Sequence, residues 1–167
     1  LLNPKLPEII DYAKQKGILE TIINTNATKL DKKISEKIIK SGLDIMIYSF
    51  DGGTKKIYEK MRPGRFSKNN FDDIYNNILN FSKIRKKLNS SFPRTKIQMI
   101  LTDETRKEKD EYFRLFRDIV DEVSVKQYTE RGGNLEDLDK KFEKQIKDKK
   151  NDLIKKFGRE AVLMKDS

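Results

Sequence analysis

The sequence contains no cysteine, no histidine and no tryptophan. Without Cys and His there is no thiolate or imidazole chemistry. A zinc site of the usual kind, a Cys-held iron–sulfur cluster and a Ser-His-Asp triad are all excluded for these residues. Any metal bound by this chain would need oxygen ligands. Long apolar runs are missing as well. Nothing approaches the roughly 18 residues of a membrane span, and no charged segment precedes an apolar one as in a signal peptide. A soluble, cytoplasmic protein without a membrane partner is expected.

What is present is charge, 37 Lys and Arg against 27 Asp and Glu in 167 residues, a net +10. Such a balance invites a nucleic-acid reading, because clustered cations release phosphate counterions. Here the basic residues are dispersed among acids, and Lys, Asn and Ile are abundant together, as AT-rich coding sequence produces. The densest acid-free run is Lys83, Arg85, Lys86, Lys87, Arg94 and Lys96, near a helix end. Lys and Arg suit the negative end of a helix dipole, and the repeated interleaved aromatics of stacking modules are missing, Phe92 being the one aromatic residue in the run. This run is therefore expected to be a solvated face, and nucleic acid is not the favoured partner.

The organising stretch is Asp44-Ile45-Met46-Ile47-Tyr48-Ser49-Phe50-Asp51-Gly52-Gly53. Its continuous apolar run predicts a strand covered on both faces, as in a parallel sheet. Ser49, Asp51 and two glycines follow where the strand gives way to a loop, the edge at which βα proteins hold ligands. The same residues also fit a plain tight turn.

Around this strand the periodicities alternate. Helices are predicted over Pro4 to Lys16, closed by Gly17, and from Leu30 through Ile39, closed by Gly42. Phe71, Ile74, Ile78 and Phe81, then Ile84 or Arg85, mark the clearest helix, and Glu104 to Ile119 marks another. Strands are predicted over Ile18 to Asn24, Lys96 to Leu101 and Val123 to Gln127. Thr54 to Arg65 reads as a short segment anchored by Tyr58 and Met61, and Thr129 to Asn134 as a loop. Leu135 to Phe157 reads as a charged helix. The fold class is α/β, with four parallel strands. Because the chain opens at Leu1 on a helix, earlier strands are expected to precede it.

In this order stand Leu1-Leu2-Asn3-Pro4, Thr25-Asn26-Ala27-Thr28, Ser49-Phe50-Asp51-Gly52, Tyr58 through Gly64, and Val123-Ser124-Val125. The set resembles radical SAM enzymes, in particular the SPASM branch and the anaerobic sulfatase-maturing and molybdenum-cofactor enzymes. The resemblance covers about residues 1 to 134. It implies an incomplete (β/α)6 TIM-like partial barrel, about strands 3 to 6 of the radical SAM core, with residues 135 to 167 as a charged helical extension. Ala161 to Ser167 looks like a lead-in to a further C-terminal domain.

The family's CxxxCxxC loop, which holds a [4Fe-4S] cluster, and its Gly-Gly-Glu-Pro motif are not in these residues. The resemblance therefore implies a fragment, inactive alone. Its parent would reduce S-adenosylmethionine (SAM) at the cluster with an external electron donor. A 5′-deoxyadenosyl radical would then abstract hydrogen from a peptide or small-molecule substrate. It also implies SAM contacts from Thr25 and Asn26, from Ser49 and Asp51, from Arg62 paired with a carboxylate, and from the Gln127 backbone near adenine. Ala27 stands where the family usually has Gly. The residues leave other readings open: Thr25, Asn26 and Thr28 also fit helix caps, and Arg62 beside Pro63 fits a surface loop. Two further function classes are a non-catalytic basic binding domain and a Schiff-base βα enzyme using Lys96 or Lys126, both set among polar neighbours.

Overall fold

Four strands are joined in parallel in the order β1-β2-β3-β4: β1 Ile22–Thr25, β2 Ile45–Ser49, β3 Arg94–Leu101 and β4 Glu122–Gln127. The computed structural model describes residues 3–63 and 70–127. The chain divides after Tyr128 into two units. The readings on residues 1–2, 64–69 and 128–167 lie outside the described residues, the charged helix among them.

Helices lie between the strands because parallel neighbours need a crossover. α1 is Leu6–Gln15, α2 Lys32–Lys40, α3 Lys55–Met61, α4 Phe71–Lys87 and α5 Lys109–Phe116. Side-chain oxygens start several of them by taking free amide groups. Asp31 accepts from the Ile34 N–H at 2.8 Å to open α2, and Asn70 from the Asp72 N–H at 2.9 Å to open α4. Gly17 and Gly42 follow α1 and α2 with positive φ of 84° and 79°, as expected past a helix end. Among the described residues no helix is long and apolar enough to cross a membrane.

Three expectations are corrected. The first strand begins at Ile22 rather than Ile18, and Leu19 is 92% exposed. Thr54 to Arg65 contains a full helix, α3, anchored by the wholly buried Tyr58. The Glu104 to Ile119 helix is shorter, a 3₁₀ turn at Thr105–Glu108 followed by α5.

A fourth correction matters more for function. β2 is not covered on both faces. Met46 and Tyr48 are buried, while Ile45, Ile47 and Ser49 are half-buried on the opposite face. Register carries the same division across the sheet. Ile23, Thr25, Ile97 and Met99 share the Met46 and Tyr48 face, and Asn24, Lys96, Gln98 and Ser124 share the open one. Only the first face packs into the core with Ile38, Ile39, Ile78 and Phe81 from the helices. Tyr48 meets Phe81 edge-on at 6.3 Å.

The basic run is also divided. Lys83, Lys86 and Lys87 are exposed, but Arg85 is buried and forks onto Asp121 at 2.5 and 2.9 Å. Burying the Arg85 stem continues the α4 stripe, and the Asp121 carboxylate compensates the charge that comes with it. Lys96 is ion-paired with Glu122. A uniformly solvated basic face is therefore not what forms.

Candidate functional site

The C-terminal edge of the sheet is built on aromatic packing. Phe50 stacks on Tyr58 at 4.1 Å and meets Phe116 edge-on at 4.9 Å, which fixes the turn that leaves β2. Gly52 and Gly53 let helices approach that turn. A Cβ on Gly52 would lie 2.6 Å from the Tyr58 nitrogen, and one on Gly53 would lie 2.8 Å from the Glu108 carbonyl oxygen. Glu108 accepts from the Gly53 and Thr54 N–H groups at 2.8 and 3.1 Å and from the Thr54 hydroxyl at 2.5 Å, which satisfies the start of α3. The two glycines thus serve helix packing.

Above this platform is an open polar cavity of about 340 Å³, lined by Asn24, Thr25, Asn26, Thr28, Lys29, Ser49 and Arg62. Four of the six expected site residues, Thr25, Asn26, Ser49 and Arg62, come together here from three separate segments. They do not present equivalent groups. Thr25 is buried, and its hydroxyl accepts from the Ala27 N–H at 3.0 Å. Asn26 accepts from the Thr28 N–H and hydroxyl at 3.3 and 2.9 Å. These bonds hold the loop, and the cap of α2 is Asp31, so Thr25, Asn26 and Thr28 are not its helix caps. Ser49 is half-buried, and its hydroxyl has no hydrogen bond among the described residues.

Asp51 lies behind this surface. It is 6% exposed, accepting from the Ile100 N–H at 2.8 Å with one oxygen and from Arg62 Nε at 2.6 Å with the other. Its carboxylate clamps the end of β2 to β3 and fixes the Arg62 guanidinium at the cavity wall. Gln127 ends β4 opposite Leu101, on the register of the helix-covered face, and does not line the cavity.

The loop geometry has one strained point. Ala27 adopts a φ of 60° while wholly buried, a left-handed conformation that costs an L-residue about 1 to 2 kcal/mol. Its carbonyl accepts from Asn77 Nδ2 at 3.0 Å, which ties the loop to α4.

Residues that sequence reading missed are Asn24 and Lys29 in the cavity and Gln98 beside it. Gln98 pairs in register with Ser49 on the open face, and its carboxamide has no partner among the described residues. The signal was available in the alternation of Arg94, Lys96 and Gln98 with Thr95, Ile97 and Met99. The Schiff-base reading loses support, since Lys96 is held as an ion pair and Lys126 is exposed.

No group of three or more Asp or Glu among the described residues could hold a metal. With no cysteine in the chain, these residues do not fit a [4Fe-4S] cluster. They do fit a polar ligand carrying a carboxylate, because Lys29 and Arg62 stand at the wall and the Ser49 hydroxyl is available.

No family model matches the chain, and no curated protein does. Solved structures of SuiB from Streptococcus suis share its fold. The structure of SuiB bound to S-adenosylmethionine has a TM-score of 0.58 at 18% identity, over 90% of this chain and 32% of that one. SuiB bound to precursor peptide SuiA gives 0.55 at 17%, over 90% and 32%, and a further crystal structure of SuiB gives 0.54 at 18%, over 90% and 33%. The chain spans about a third of SuiB's length.

Proposed function

We propose that this chain is the SAM-holding part of a radical SAM enzyme of the SPASM type, folded as a segment of a partial (β/α)6 barrel. The observation that carries the reading is the Ser49–Arg62 wall: an available hydroxyl and a clamped guanidinium at the C-terminal edge of a parallel sheet. The shared fold with SuiB, whose structures include one with SAM and one with a precursor peptide, supports it.

SAM bound here would supply the hydrogen-abstracting group, and the [4Fe-4S] cluster and electron donor that this chemistry calls for would have to come from residues other than these. The chain's own share is binding and orientation. Arg62, fixed through Nε by Asp51, would pair with the methionine carboxylate. Ser49 would hydrogen-bond the ribose or that carboxylate, and Asn24 and Asn26 would flank them. Lys29 adds positive charge at the rim. The substrate, a peptide or small molecule, would approach over the open face of β3 and β4.

Calorimetric titration of the chain with SAM tests this directly. Ser49→Ala is expected to weaken binding about fivefold, the loss of one neutral hydrogen bond. Arg62→Ala is expected to weaken it by about ten- to a hundredfold, the loss of a charge-assisted one. Equal affinity in wild type and both variants would overturn the assignment.

A further inference from the structure

The open face has a second cavity, of about 270 Å³, at its lower end, and it shares no lining residue with the first. Its floor is apolar, with Ile45 and Ile47 half-buried and Ile22 at the rim. Its polar members are Arg94, Thr95, Lys96, Gln98, Asp121 and Glu122.

The charges here do not cancel. Lys96 is paired with Glu122. Asp121 is spent on Arg85, the Thr95 N–H at 2.6 Å and the Thr95 hydroxyl at 2.8 Å. Arg94 is exposed, and its guanidinium has no ion pair or hydrogen bond among the described residues. The cavity therefore presents one uncompensated cation over an apolar floor.

We propose that this cavity binds a short extended peptide, with an acidic side chain paired to Arg94 and a peptide group hydrogen-bonded to the Gln98 carboxamide. Arg94 and Gln98 are four residues apart on one strand, about 13 Å at strand rise. An extended peptide laid along β3 places alternate side chains on one face at about half that spacing. An acid at Arg94, an aliphatic side chain over Ile45 and Ile47 and a backbone amide at Gln98 then fit together. Gln98 presents one donor edge and one acceptor edge, the complement of a peptide group. A polyanion such as nucleic acid does not fit, because a single free cation stands beside the Asp121 and Glu122 carboxylates. A free amino acid reaches Arg94 but not Gln98.

The proposal goes beyond the SAM site and does not need it. Its test uses the whole 167-residue chain, isotopically labelled for NMR, titrated with N-acetylated, C-amidated Glu-Ala-Leu and Gln-Ala-Leu tripeptides, whose first and third side chains share one face, and with free glutamate. The Glu peptide is expected to shift the amide signals of Ile45, Ile47 and Gln98 and to bind about tenfold tighter than the Gln peptide, a typical margin for one charge-assisted pair. Arg94→Gln is expected to erase that margin and leave SAM affinity unchanged, and Gln98→Ala to weaken both peptides alike. Equal binding of the two peptides, a preference that survives Arg94→Gln, no binding of either peptide, or free glutamate binding as well as the Glu peptide would overturn it. Wild-type chain that discriminates the peptides but ignores SAM would sustain this site while overturning the SAM reading.

Discussion

The two ends of the sheet use the same residue types for opposite purposes. At the lower edge, Asp44 accepts from the Thr21 N–H and hydroxyl at 2.7 and 2.8 Å and from Lys14 at 2.9 Å. Asp121 repeats the pattern with the Thr95 N–H and hydroxyl and with Arg85. In each case a carboxylate just before one strand grips a Thr at the start of its parallel neighbour, and the cation comes from the helix preceding that neighbour. At the upper edge, Ser49 keeps its hydroxyl available. A polar residue at a strand end is thus not in itself a ligand contact, and its partners decide. Asp51 makes the point, because it sits at the upper edge but is wired like the lower pair.

If the lower edge is structural, breaking it should show in stability and not in SAM affinity. Asp121→Ala leaves the buried Arg85 charge without its fork and is expected to cost about 3 kcal/mol, at the low end for a broken buried pair because Asp121 keeps a third of its side chain in water. Asp44→Ala, whose Lys14 partner is more exposed, should cost about 1 kcal/mol. Urea unfolding of the two variants checks the order.

The pH dependence follows the same logic. Burial by itself would raise the Asp121 carboxyl, but the hydrogen bonds from Arg85 and Thr95 outweigh it and bring it down to about 2, from the ordinary 3.8. A depressed carboxyl contributes stability that is present above the unfolded value and lost as pH falls through the folded one. Stability should therefore drop between about pH 4 and 2, and this acid loss should shrink in Asp121→Ala. An unchanged acid limb in that variant would place the sensitivity elsewhere.

Much of this framework is legible in the sequence because parallel strands are apolar runs separated by capped helices. The four strands and their order of appearance follow from that. What is not legible depends on distant partners. Arg85 looks like part of a basic face until Asp121, 36 residues away, meets it. Asp51 looks like a ligand contact until the Ile100 N–H, 49 residues away, takes one oxygen. The two-faced exposure of β2 could not be read either, since Ile-Met-Ile-Tyr is apolar at every position and carries no alternation. Of the candidate site, Thr25, Asn26, Ser49 and Arg62 were placed by motif order. Gln98 was hidden in a strand read only for its apolar members.

A smaller effect is expected in the loop that leaves β1 at the upper edge. Ala27 holds a left-handed conformation in the core, so the usual penalty for glycine should vanish there. Relief of about 1 to 2 kcal/mol of strain offsets a lost buried methyl, about 0.8 kcal/mol, and the greater freedom of unfolded glycine, about 0.7 kcal/mol. Ala27→Gly should leave the unfolding midpoint nearly unchanged, while Ala13→Gly within α1 should lower stability by about 1 kcal/mol. Ala27→Val should cost about 2 kcal/mol, because a branched Cβ deepens the strain. Equal losses for the two glycine variants would mean that the loop conformation is wrongly assigned.

The smallest stability changes are expected at two adjacent residues facing opposite ways. The Tyr48 hydroxyl is wholly buried without a hydrogen bond among the described residues, and burial pushes its ionisation upward. Removing an unsatisfied group restores its desolvation cost, so Tyr48→Phe should stabilise the chain by about 0.5 kcal/mol and leave SAM affinity alone. Ser49, one residue on, faces the open side with no internal partner, so Ser49→Ala should move stability by less than about 0.5 kcal/mol while it weakens SAM binding. The pair separates the two faces of a single strand by readout: one hydroxyl counts only for folding, the other only for the ligand. A Ser49→Ala variant that unfolded more easily without losing affinity would move Ser49 to the structural side and leave the ligand contacts to Arg62 and the other residues of the cavity wall.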